Sequence, residues 1–531
     1  MVESARLGRV VIAEPFDERG LAVLSSAGIE VVSCVGSSRD ALHRALTDAR
    51  GLIVRSETRV DNELLSRAPR LEVVARAGVG VDAIDVDAAT AAGIVVVNTP
   101  SANTIAATEH TFAMMLSTLR HVPAAHASLH AARWERKPFV GNELFGKTLG
   151  IVGLGRIGSN VASRATAFGM KVIAYDPYVP ASRASALGVE LVDLDDLLRA
   201  ADVVTLHVPL TPQTQHLIDA RALSLLRDGA VLVNCARGAV LDLAAVLEAL
   251  DAGRLRAAAI DVVPEEPPPP HSYSSRILTH PRVVATPHLG GSTHEALERI
   301  ALELAEDVVR VLGGRPASGA VNAPTLEGGS QSAGGFVDLA FRMGAMVPQL
   351  FAEALRQEIA LVLQGDIAEL DADPFVAALL AGALPFVSDR RVSIVNAAAI
   401  ARDIGVRTMV TREGPHNPFR ASIAVAVQDH RLVGTVLPNG PRVVEIDGYE
   451  VDAVADGTIL VTLHRDVPGM VGRIGSLLGD ANINISTMQV ARNQRGGGAM
   501  MVLDVDRTID REWLAKIAAV DGIESVRLVQ L

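Results

Sequence analysis

The chain has 531 residues, of which 49% are hydrophobic, 21% are charged and only 3% are aromatic. This length allows about three to five domains. The apolar fraction excludes a disordered chain, and the shortage of aromatics favours aliphatic cores of α/β type with parallel strands. The net charge of −12 argues against nucleic-acid partners and anionic membrane surfaces.

Cysteine content and the ends of the chain suggest where the protein works. Cys34 and Cys235 are too few for a disulfide framework or a zinc cluster, so we expect a reducing compartment and no metal. The N-terminal residues include an early acid and only a short apolar run, unlike a signal peptide. The longest run without charged or polar residues, 375–387, is too short to span a bilayer. We expect a cytoplasmic protein.

The first half of the chain alternates short Val/Ile-rich runs with longer amphipathic segments, from Arg9 to about Pro287. This alternation predicts βαβ units on two doubly wound parallel sheets. The runs predicted as strands include residues 10–13, 51–56, 148–155, 171–176, 203–208, 231–236 and 257–263. Residues 102–119 have helical periodicity and no strand signal, so we predict a helix connecting the two units.

The second half begins after a boundary. A long helical pattern at residues 292–312 precedes residues 313–335, whose Gly, Pro and Ser content predicts a flexible linker or an exposed loop. The following residues, to about 452, mix helix and strand patterns. The last block alternates strand, helix, strand, strand, helix and strand, which is the ferredoxin-like order. The predicted domains are residues 1–101 with 292–320, residues 102–291, residues 321–453 and residues 454–531.

A glycine-rich loop follows a predicted strand and precedes a helix. Gly153 permits a tight turn, Gly155 lets the backbone approach a pyrophosphate, and Gly158 lets the helix pack on the strand. The helix N-terminus then offers N–H groups to phosphates. Asp176 ends the next strand, where an acid accepts hydrogen bonds from the ribose of NAD and repels the 2′-phosphate of NADP. We predict NAD, although Arg183 is near enough in sequence to leave NADP open.

Three further stretches carry a family resemblance: residues 234–238 (NCARG), 261–267 (DVVPEEP) and 287–293 (PHLGGST). With the glycine-rich loop, their order and spacing resemble the D-isomer-specific 2-hydroxyacid dehydrogenases. Over essentially the whole chain, the likeness is to the long members that oxidise 3-phosphoglycerate to 3-phosphohydroxypyruvate, the first step of L-serine synthesis. The alternatives are another substrate, such as hydroxypyruvate, glyoxylate or 2-oxoglutarate, or an NAD-sensing binding protein like the corepressors that share these motifs.

The chemistry of alcohol oxidation explains the residue types in these stretches. A base must take the hydroxyl proton, and histidine titrates near neutrality. A neighbouring carboxylate fixes the imidazole tautomer, and a planar arginine suits a substrate carboxylate. The resemblance makes His288 the base, Glu266 its partner and Arg237 the clamp. Glu266 is preferred to Glu265 because the family pattern places the acid immediately before the proline.

The resemblance also implies the contacts of the cofactor. Asp261 would meet the nicotinamide carboxamide, while the backbone of Cys235 and Ala236 would line its side. The full set of expected cofactor-binding residues is Val79, Gly153, Gly155, Arg156, Ile157, Gly158, Asp176, Val208, Cys235, Ala236, Asp261, Gly290 and Gly291.

Two arginines at predicted strand ends bear on the substrate. Ligands of open α/β sheets bind beyond the carboxyl ends of the strands, and Arg55 and Arg76 there suit a doubly anionic substrate. The resemblance implies that both reach a phosphate, that Gly80 with Val79 offers N–H groups to the carboxylate, and that Asn103 adds a contact. If both arginines are ordinary surface charges, one of the other 2-keto acids is the substrate.

The C-terminal block resembles an ACT domain. The resemblance implies that L-serine binds as a feedback inhibitor where two such domains pair, held by Asp466 and Asn484. His464 stands where some relatives carry tyrosine, and a purely structural role for this domain stays open. We expect a dimer or tetramer, with residues 134–137 (WERK) offering a cation to a neighbouring subunit.

Overall fold

The computed structural model describes residues 7–315, 317–324, 331–351, 358–415, 418–493 and 497–531, with the backbone alone at 331–333. It confirms the predicted fold class, because two parallel sheets are followed by a mixed sheet and a ferredoxin-like sheet. Among the described residues, no helix has the length and apolar character needed to cross a membrane.

The first sheet is parallel, with strand order β2-β1-β3-β4-β5. Its elements are β1 (Arg9–Ile12), α1 (Glu18–Ser26), β2 (Glu30–Ser33), α2 (Arg39–Leu46), β3 (Gly51–Val54), α3 (Asn62–Ser66), β4 (Val73–Arg76), α4 (Val86–Ala91) and β5 (Val95–Val97). The central strands β3 and β4 are buried on both faces, as their continuous apolar sequences require. Their carboxyl ends present Arg55 and Arg76 on the same edge.

The second sheet has seven parallel strands in the order β12-β11-β10-β9-β6-β7-β8. Its elements are α5 (Thr104–Leu119), α6 (Val122–His130), β6 (Thr148–Val152), α7 (Arg156–Ala167), β7 (Lys171–Tyr175), α8 (Ala181–Ala186), β8 (Glu190–Leu191), α9 (Leu194–Ala200), β9 (Val203–Leu206), α10 (Ala220–Leu225), β10 (Ala230–Asn234), α11 (Leu243–Asp251), β11 (Leu255–Ile260), α12 (Tyr273–Leu278) and β12 (Val283–Ala285). The strand order reverses between β6 and β9, so the glycine-rich loop after β6 lies at the switch point where dinucleotides bind.

The chain then returns to the first sheet through α13 (His294–Leu312). Thr293 begins this helix by accepting a hydrogen bond from the Ala296 N–H. The helix packs its apolar face, including Leu304 and Val308, into the same core as β1, β4 and β5. The first domain is therefore built from two separate stretches of the chain.

The prediction of one flexible linker over residues 313–335 is wrong for part of that range. Asp307 on α13 accepts hydrogen bonds from the N–H groups of Ser318 and Gly319. Asn322 accepts one from Val96 of β5 at 2.8 Å. Composition shows no such anchors, because they come from distant residues. Residues 331–335 are also helical, while residues 316 and 325–330 lie outside the described part of the chain.

The third domain has a six-stranded mixed sheet in the order β14-β13-β15-β16-β17-β18. Its elements are α14 (Gln331–Leu350), β13 (Glu358–Gly365), α15 (Asp373–Ala383), α16 (Ala397–Asp403), β14 (Arg407–Glu413), β15 (Ala421–Val427), β16 (His430–Leu437), β17 (Gly440–Ile446) and β18 (Tyr449–Val454). Helices α14 and α15 approach closely at glycines. A Cβ at Gly382 would fall 2.0 Å from the Phe341 carbonyl oxygen, so no larger residue fits there.

The fourth domain has the predicted ferredoxin-like arrangement, with strand order β20-β21-β19-β22. Its elements are β19 (Thr458–Arg465), α17 (Met470–Asp480), β20 (Ile485–Arg492), β21 (Gly498–Val505), α18 (Arg511–Ala518) and β22 (Ile523–Gln530). One face of the sheet packs on its two helices. The other face, with Ile459 and Val502, joins the core of the third domain.

Candidate active site

The glycine-rich loop has the geometry that a pyrophosphate requires. Gly153 has a φ of +95°, and a Cβ at Gly158 would fall 2.0 Å from the Gly153 carbonyl oxygen. Gly155 precedes α7 without any side-chain cap, and a Cβ there would meet nothing within 4 Å. The first N–H groups of α7, from Arg156 and Ile157 onward, therefore face open space and fit an anionic group.

Asp176 follows β7 and lies against the glycine-rich loop. Its Oδ2 accepts a hydrogen bond from the Leu154 N–H at 2.8 Å, and its Oδ1 accepts one from the Tyr178 N–H at 2.9 Å. Each carboxylate oxygen has a second lone pair, so the group can still accept from ribose hydroxyls. Val208 borders the same loop, since its Cγ1 would lie 2.9 Å from a Cβ at Gly153. The residues present thus fit NAD.

A cleft of about 740 Å³ lies between the first and second domains. It brings together many residues predicted from sequence. Its lining includes Arg55, Arg76, Asn103, Asp261, Glu266, His288 and Gly291. Within the described residues, the buried Oδ1 of Asn103 has no hydrogen-bond partner. Buried polar atoms are rarely left without a partner, so this oxygen points to a ligand in the cleft.

The imidazole of His288 pairs with one of two adjacent acids. Its Nδ1 lies 2.6 Å from Oε2 of Glu266. Glu265 is turned away and accepts a hydrogen bond from the Ser274 hydroxyl. Because Nδ1 is taken by Glu266, Nε2 of His288 is the ring nitrogen left to exchange a proton with a ligand.

Asp261 organises the backbone around His288. Its carboxylate accepts hydrogen bonds from the Thr286 hydroxyl at 2.6 Å, the Leu289 N–H at 2.8 Å and the Gly290 N–H at 3.0 Å. Burial alone would raise the pKa of Asp261, but hydrogen bonds from His110, Thr286 and Leu289 outweigh it and leave the pKa below its ordinary value. The carboxylate therefore stays ionised and positions the loop. Its contact with the nicotinamide remains a prediction.

His110 was missed by the sequence analysis. Its Nε2 lies 3.1 Å from Oδ1 of Asp261 and 3.1 Å from the Thr286 hydroxyl. The sequence around His110, with Glu109 before it and Thr111 after it in the predicted helix, gave no pattern that marked it as part of a site. His110, Cys235 and Asp261 place potential metal ligands within 4.8 Å of one another. However, burial and the Asp261 charge raise the pKa of the Cys235 thiol to about 12, so it does not supply a thiolate.

Arg237 reaches from the second domain to the first. Its Nε lies 3.0 Å from Oδ2 of Asp82. Asn234 is fully buried and holds the turn, donating to the Arg237 carbonyl and accepting from the Ala236 N–H, each at 3.0 Å. A Cβ at Gly80 would fall 1.9 Å from Nη2 of Arg237, so glycine lets the guanidinium lie across this backbone.

Arginines converge at the cleft. The pKa of Arg76 is lowered to about 10, first by burial and then by the neighbouring charges of Arg237 and Arg55. Asp82 and Glu14 oppose this shift but do not cancel it. The guanidinium groups of Arg237 and Arg55 are therefore close enough to repel that of Arg76. An anionic ligand between them would relieve that repulsion.

Glu14 is a second residue that sequence reasoning missed. Its buried carboxylate accepts hydrogen bonds from the N–H groups of Arg55 at 2.8 Å, Thr58 at 2.9 Å and Glu57 at 3.2 Å. Burial acts to raise the pKa of Glu14, but these bonds prevail and lower it. Glu14 thus fixes the backbone that carries Arg55. Its partners lie more than 40 residues away in sequence, so no local pattern revealed it.

Comparison with known proteins places the chain in a family. The model for the NAD-binding domain of D-isomer specific 2-hydroxyacid dehydrogenases matches residues 112–290. Those for the D-3-phosphoglycerate dehydrogenase intervening domain and the ACT domain match residues 333–447 and 457–522. D-3-phosphoglycerate dehydrogenases of Bacillus subtilis and Methanocaldococcus jannaschii are each 39% identical, over 98% of this chain and 99% and 100% of theirs. The chain belongs to the D-3-phosphoglycerate dehydrogenase family.

Membership of this family makes the protein an NAD-dependent dehydrogenase. Solved structures resemble its first two domains. The TT0316 protein of Thermus thermophilus has a TM-score of 0.55 and 37% identity, covering 59% of this chain and 99% of its own. An Aquifex aeolicus D-lactate dehydrogenase, complexed with NAD and lactic acid, has a TM-score of 0.53 and 30% identity, covering 58% of this chain and 96% of its own.

The expected effector residues of the ACT domain do not meet within one chain. Asp466 follows β19 at the end where Arg465 pairs with Gly498, and it forms an ion pair with Arg492. Asn484 precedes β20 at the opposite end, next to Val505. Seven residues along a strand separate these ends by about 20 Å. His464 is buried, and burial lowers its pKa.

Proposed function

We propose that the protein uses NAD to oxidise 3-phospho-D-glycerate to 3-phosphohydroxypyruvate, the first step of the phosphorylated route to L-serine. The observation that carries this substrate is a cleft lined by Arg55 and Arg76, with the charge of Arg237 acting on Arg76, which suits a ligand with a phosphate and a carboxylate. The full-length relatives named as D-3-phosphoglycerate dehydrogenases support the same substrate. The two cysteines support a reducing, cytoplasmic location.

Each side chain has a role in this reaction. Arg55 and Arg76 hold the phosphate, while Arg237 holds the carboxylate and the oxygen of the reacting carbon. Nε2 of His288 takes the hydroxyl proton, and Glu266 on Nδ1 stabilises the imidazolium that results. NAD, bound at the glycine-rich loop, supplies the acceptor for the hydride that leaves the same carbon. Asp261 and Glu14 do not contact the substrate in this proposal; they fix the backbone beside His288 and Arg55.

A substrate panel tests this proposal. We expect NADH oxidation to be fastest with 3-phosphohydroxypyruvate, compared with hydroxypyruvate, glyoxylate and 2-oxoglutarate at equal concentration. A preference for one of the unphosphorylated acids would contradict the proposal and favour another 2-hydroxyacid dehydrogenase. Turnover of none of them would favour an NAD-sensing binding protein instead.

Removing one phosphate contact should raise the KM for the phosphorylated substrate and not for its unphosphorylated analogue. We expect Arg76→Gln to raise the KM for 3-phosphohydroxypyruvate by about 10- to 100-fold, because a hydrogen bond to a charged group contributes about 1.5–3 kcal/mol. The KM for hydroxypyruvate, which lacks the phosphate, should change little. The matched control is Arg59→Gln, since Arg59 is an exposed arginine outside the cleft. An equal rise for both substrates would argue against a phosphate contact.

We also propose a homo-oligomer, at least a dimer. Large apolar side chains are strongly exposed between residues 122 and 145, including Trp134 and Phe145 at 77% each and Val140 at 75%. Large apolar side chains left exposed in one short stretch of the chain favour an interface there. Arg136 and Lys137 follow Trp134, so in this interface they would offer a positive charge to the neighbouring subunit. A monomeric mass by light scattering would contradict this proposal.

The ACT domain supports an amino-acid effector, and we propose L-serine bound between two copies of the domain. Because Asp466 and Asn484 lie at opposite ends of the sheet, a site that uses both needs one residue from each copy. We expect millimolar L-serine, but not D-serine, to inhibit. Asp466→Ala and Asn484→Ala should each abolish inhibition while leaving uninhibited turnover intact. Absence of inhibition in the unaltered protein would leave a structural role for this domain.

A further inference from the structure

A second cavity, of about 310 Å³, lies between the first domain and the third. Glu72 and Val95 line it from the first sheet, and Phe341, Ala378 and Ile394 line it from the third domain. Glu72 immediately precedes β4, whereas Arg76 ends that strand in the active cleft. The cavity therefore lies at the far end of the strand from the catalytic residues and is distinct from the active site.

The walls of this cavity are mostly apolar. Val95 and Ala378 are buried aliphatic side chains, and Val311 and Ile394 are partly buried against the first core. Phe341 keeps 38% of its surface exposed although it lies between two domains. A ligand with an apolar body would cover surface that the protein leaves open.

The acids that line the cavity are already paired. Glu72 receives two hydrogen bonds from Arg50, from Nε at 2.6 Å and from Nη2 at 2.8 Å. Asp338 receives one from Arg342 at 2.9 Å. Both carboxylates are therefore paired with arginines that do not line the cavity, and Arg342 also pairs with Asp456 at 3.0 Å.

The arginines that line the cavity have no such balance. Across the part of the chain described, the side chain of Arg391 makes one hydrogen bond, at 3.5 Å to the Pro69 carbonyl, and neither Arg391 nor Arg315 forms an ion pair. Burial lowers the pKa of Arg391, and the charge of Glu72 opposes this only in part. The cavity thus combines apolar walls with two arginines that form no ion pair among the described residues.

We propose that this cavity binds a small amphipathic monocarboxylate, with the carboxylate on Arg391 and Arg315 and the aliphatic chain against Phe341, Val95 and Ile394. One water molecule occupies about 30 Å³ in the liquid, so the cavity has room for about ten waters. A ligand of about ten non-hydrogen atoms, such as octanoate, has a similar size. A dicarboxylate would fit less well, because its second negative charge would lie against apolar walls. The ammonium group of an amino acid would lack a free acid, because Glu72 and Asp338 are already paired.

Calorimetric titration of the full-length protein with sodium octanoate tests the proposal. We expect saturable binding with about one site per chain and a Kd of about 1 mM or tighter. Octanamide, which has the same shape without the charge, should bind at least about tenfold more weakly. Excess 3-phosphoglycerate should not displace octanoate, since the active cleft lies at the other end of β4. Displacement by 3-phosphoglycerate would place octanoate in the active cleft and overturn the proposal.

Variants locate the binding. Arg391→Gln should weaken octanoate binding by about tenfold or more, whereas Arg402→Gln, an exposed arginine of α16 outside the cavity, should leave it unchanged. Ala378→Leu should also weaken binding by filling the cavity. Arg391 lies at the surface, so its variant is expected to fold even if the Ala378 variant does not. Absence of binding at millimolar octanoate, or equal affinity in Arg391→Gln, would overturn the proposal.

Discussion

His288→Gln should lower kcat by about 10²- to 10⁴-fold, the range that a positioned general base contributes. Glutamine keeps a polar side chain of similar length but cannot take the hydroxyl proton from the substrate. Nδ1 of His288 is held by Glu266 at 2.6 Å, so Nε2 faces the cleft and its loss removes the proton acceptor. The measurement is steady-state oxidation of 3-phosphoglycerate, with pre-steady-state traces to show that hydride transfer is the slowed step.

The control for this variant is cofactor binding. NADH fluorescence titration should give an unchanged Kd, because His288 does not touch the glycine-rich loop after β6. Glu266→Gln should give a smaller loss, since the imidazole remains but loses the carboxylate that orients it. A His288→Gln enzyme that retains more than about a tenth of the normal kcat would show that another group is the base.

Arg237→Lys should lower kcat/KM by about 10²-fold or more, although the positive charge is kept. Lysine lacks the planar fork that binds a carboxylate with two parallel hydrogen bonds. It also loses the Nε contact with Asp82, which joins the two domains that form the cleft. We expect both kcat and KM to be affected, because the clamp holds the substrate before and during hydride transfer.

A matched substitution separates this effect from a general loss of charge pairing. Arg227 forms a similar ion pair with Asp202 at 3.3 Å, but both partners belong to the second domain, so this pair does not join the two domains. Arg227→Lys should leave kcat/KM within about twofold of normal, as expected for an exposed ion pair. Equal losses in the two variants would mean that Arg237 acts on stability and not on the substrate.

The parts of the site that sequence predicted are those encoded locally. The glycine-rich loop, the strand end at Arg76 and the acid before Pro267 each depend on residues that are adjacent in the chain. The fold class followed in the same way, because the alternation of apolar runs sets the order of strands and helices. The family resemblance, which places the acid immediately before the proline, separated Glu266 from Glu265, and the structure places only Glu266 beside His288.

The parts that sequence missed depend on partners far apart in the chain. His110 meets Asp261 across 151 positions, and Glu14 meets Arg55 across 41. The anchoring of Asn322 on β5 has the same origin, and it overturned the prediction of a continuous flexible linker. Composition and periodicity describe a residue's neighbours in sequence, whereas these hydrogen bonds exist only after the sheets have assembled.

The return of α13 to the first sheet determines how the two halves of the protein are connected. The chain leaves the first domain at α5, builds the whole NAD-binding unit, and comes back before it continues to the third and fourth domains. The C-terminal half is therefore attached to the domain that carries Arg55 and Arg76. The NAD-binding domain is connected to that domain by two chain segments, one before α5 and one before α13. We expect an effector acting in the C-terminal half to act on the cleft by moving the wall that carries Arg55 and Arg76 relative to the NAD-binding domain. Inhibition is accordingly expected to change turnover and substrate KM while leaving the Kd for NADH unchanged.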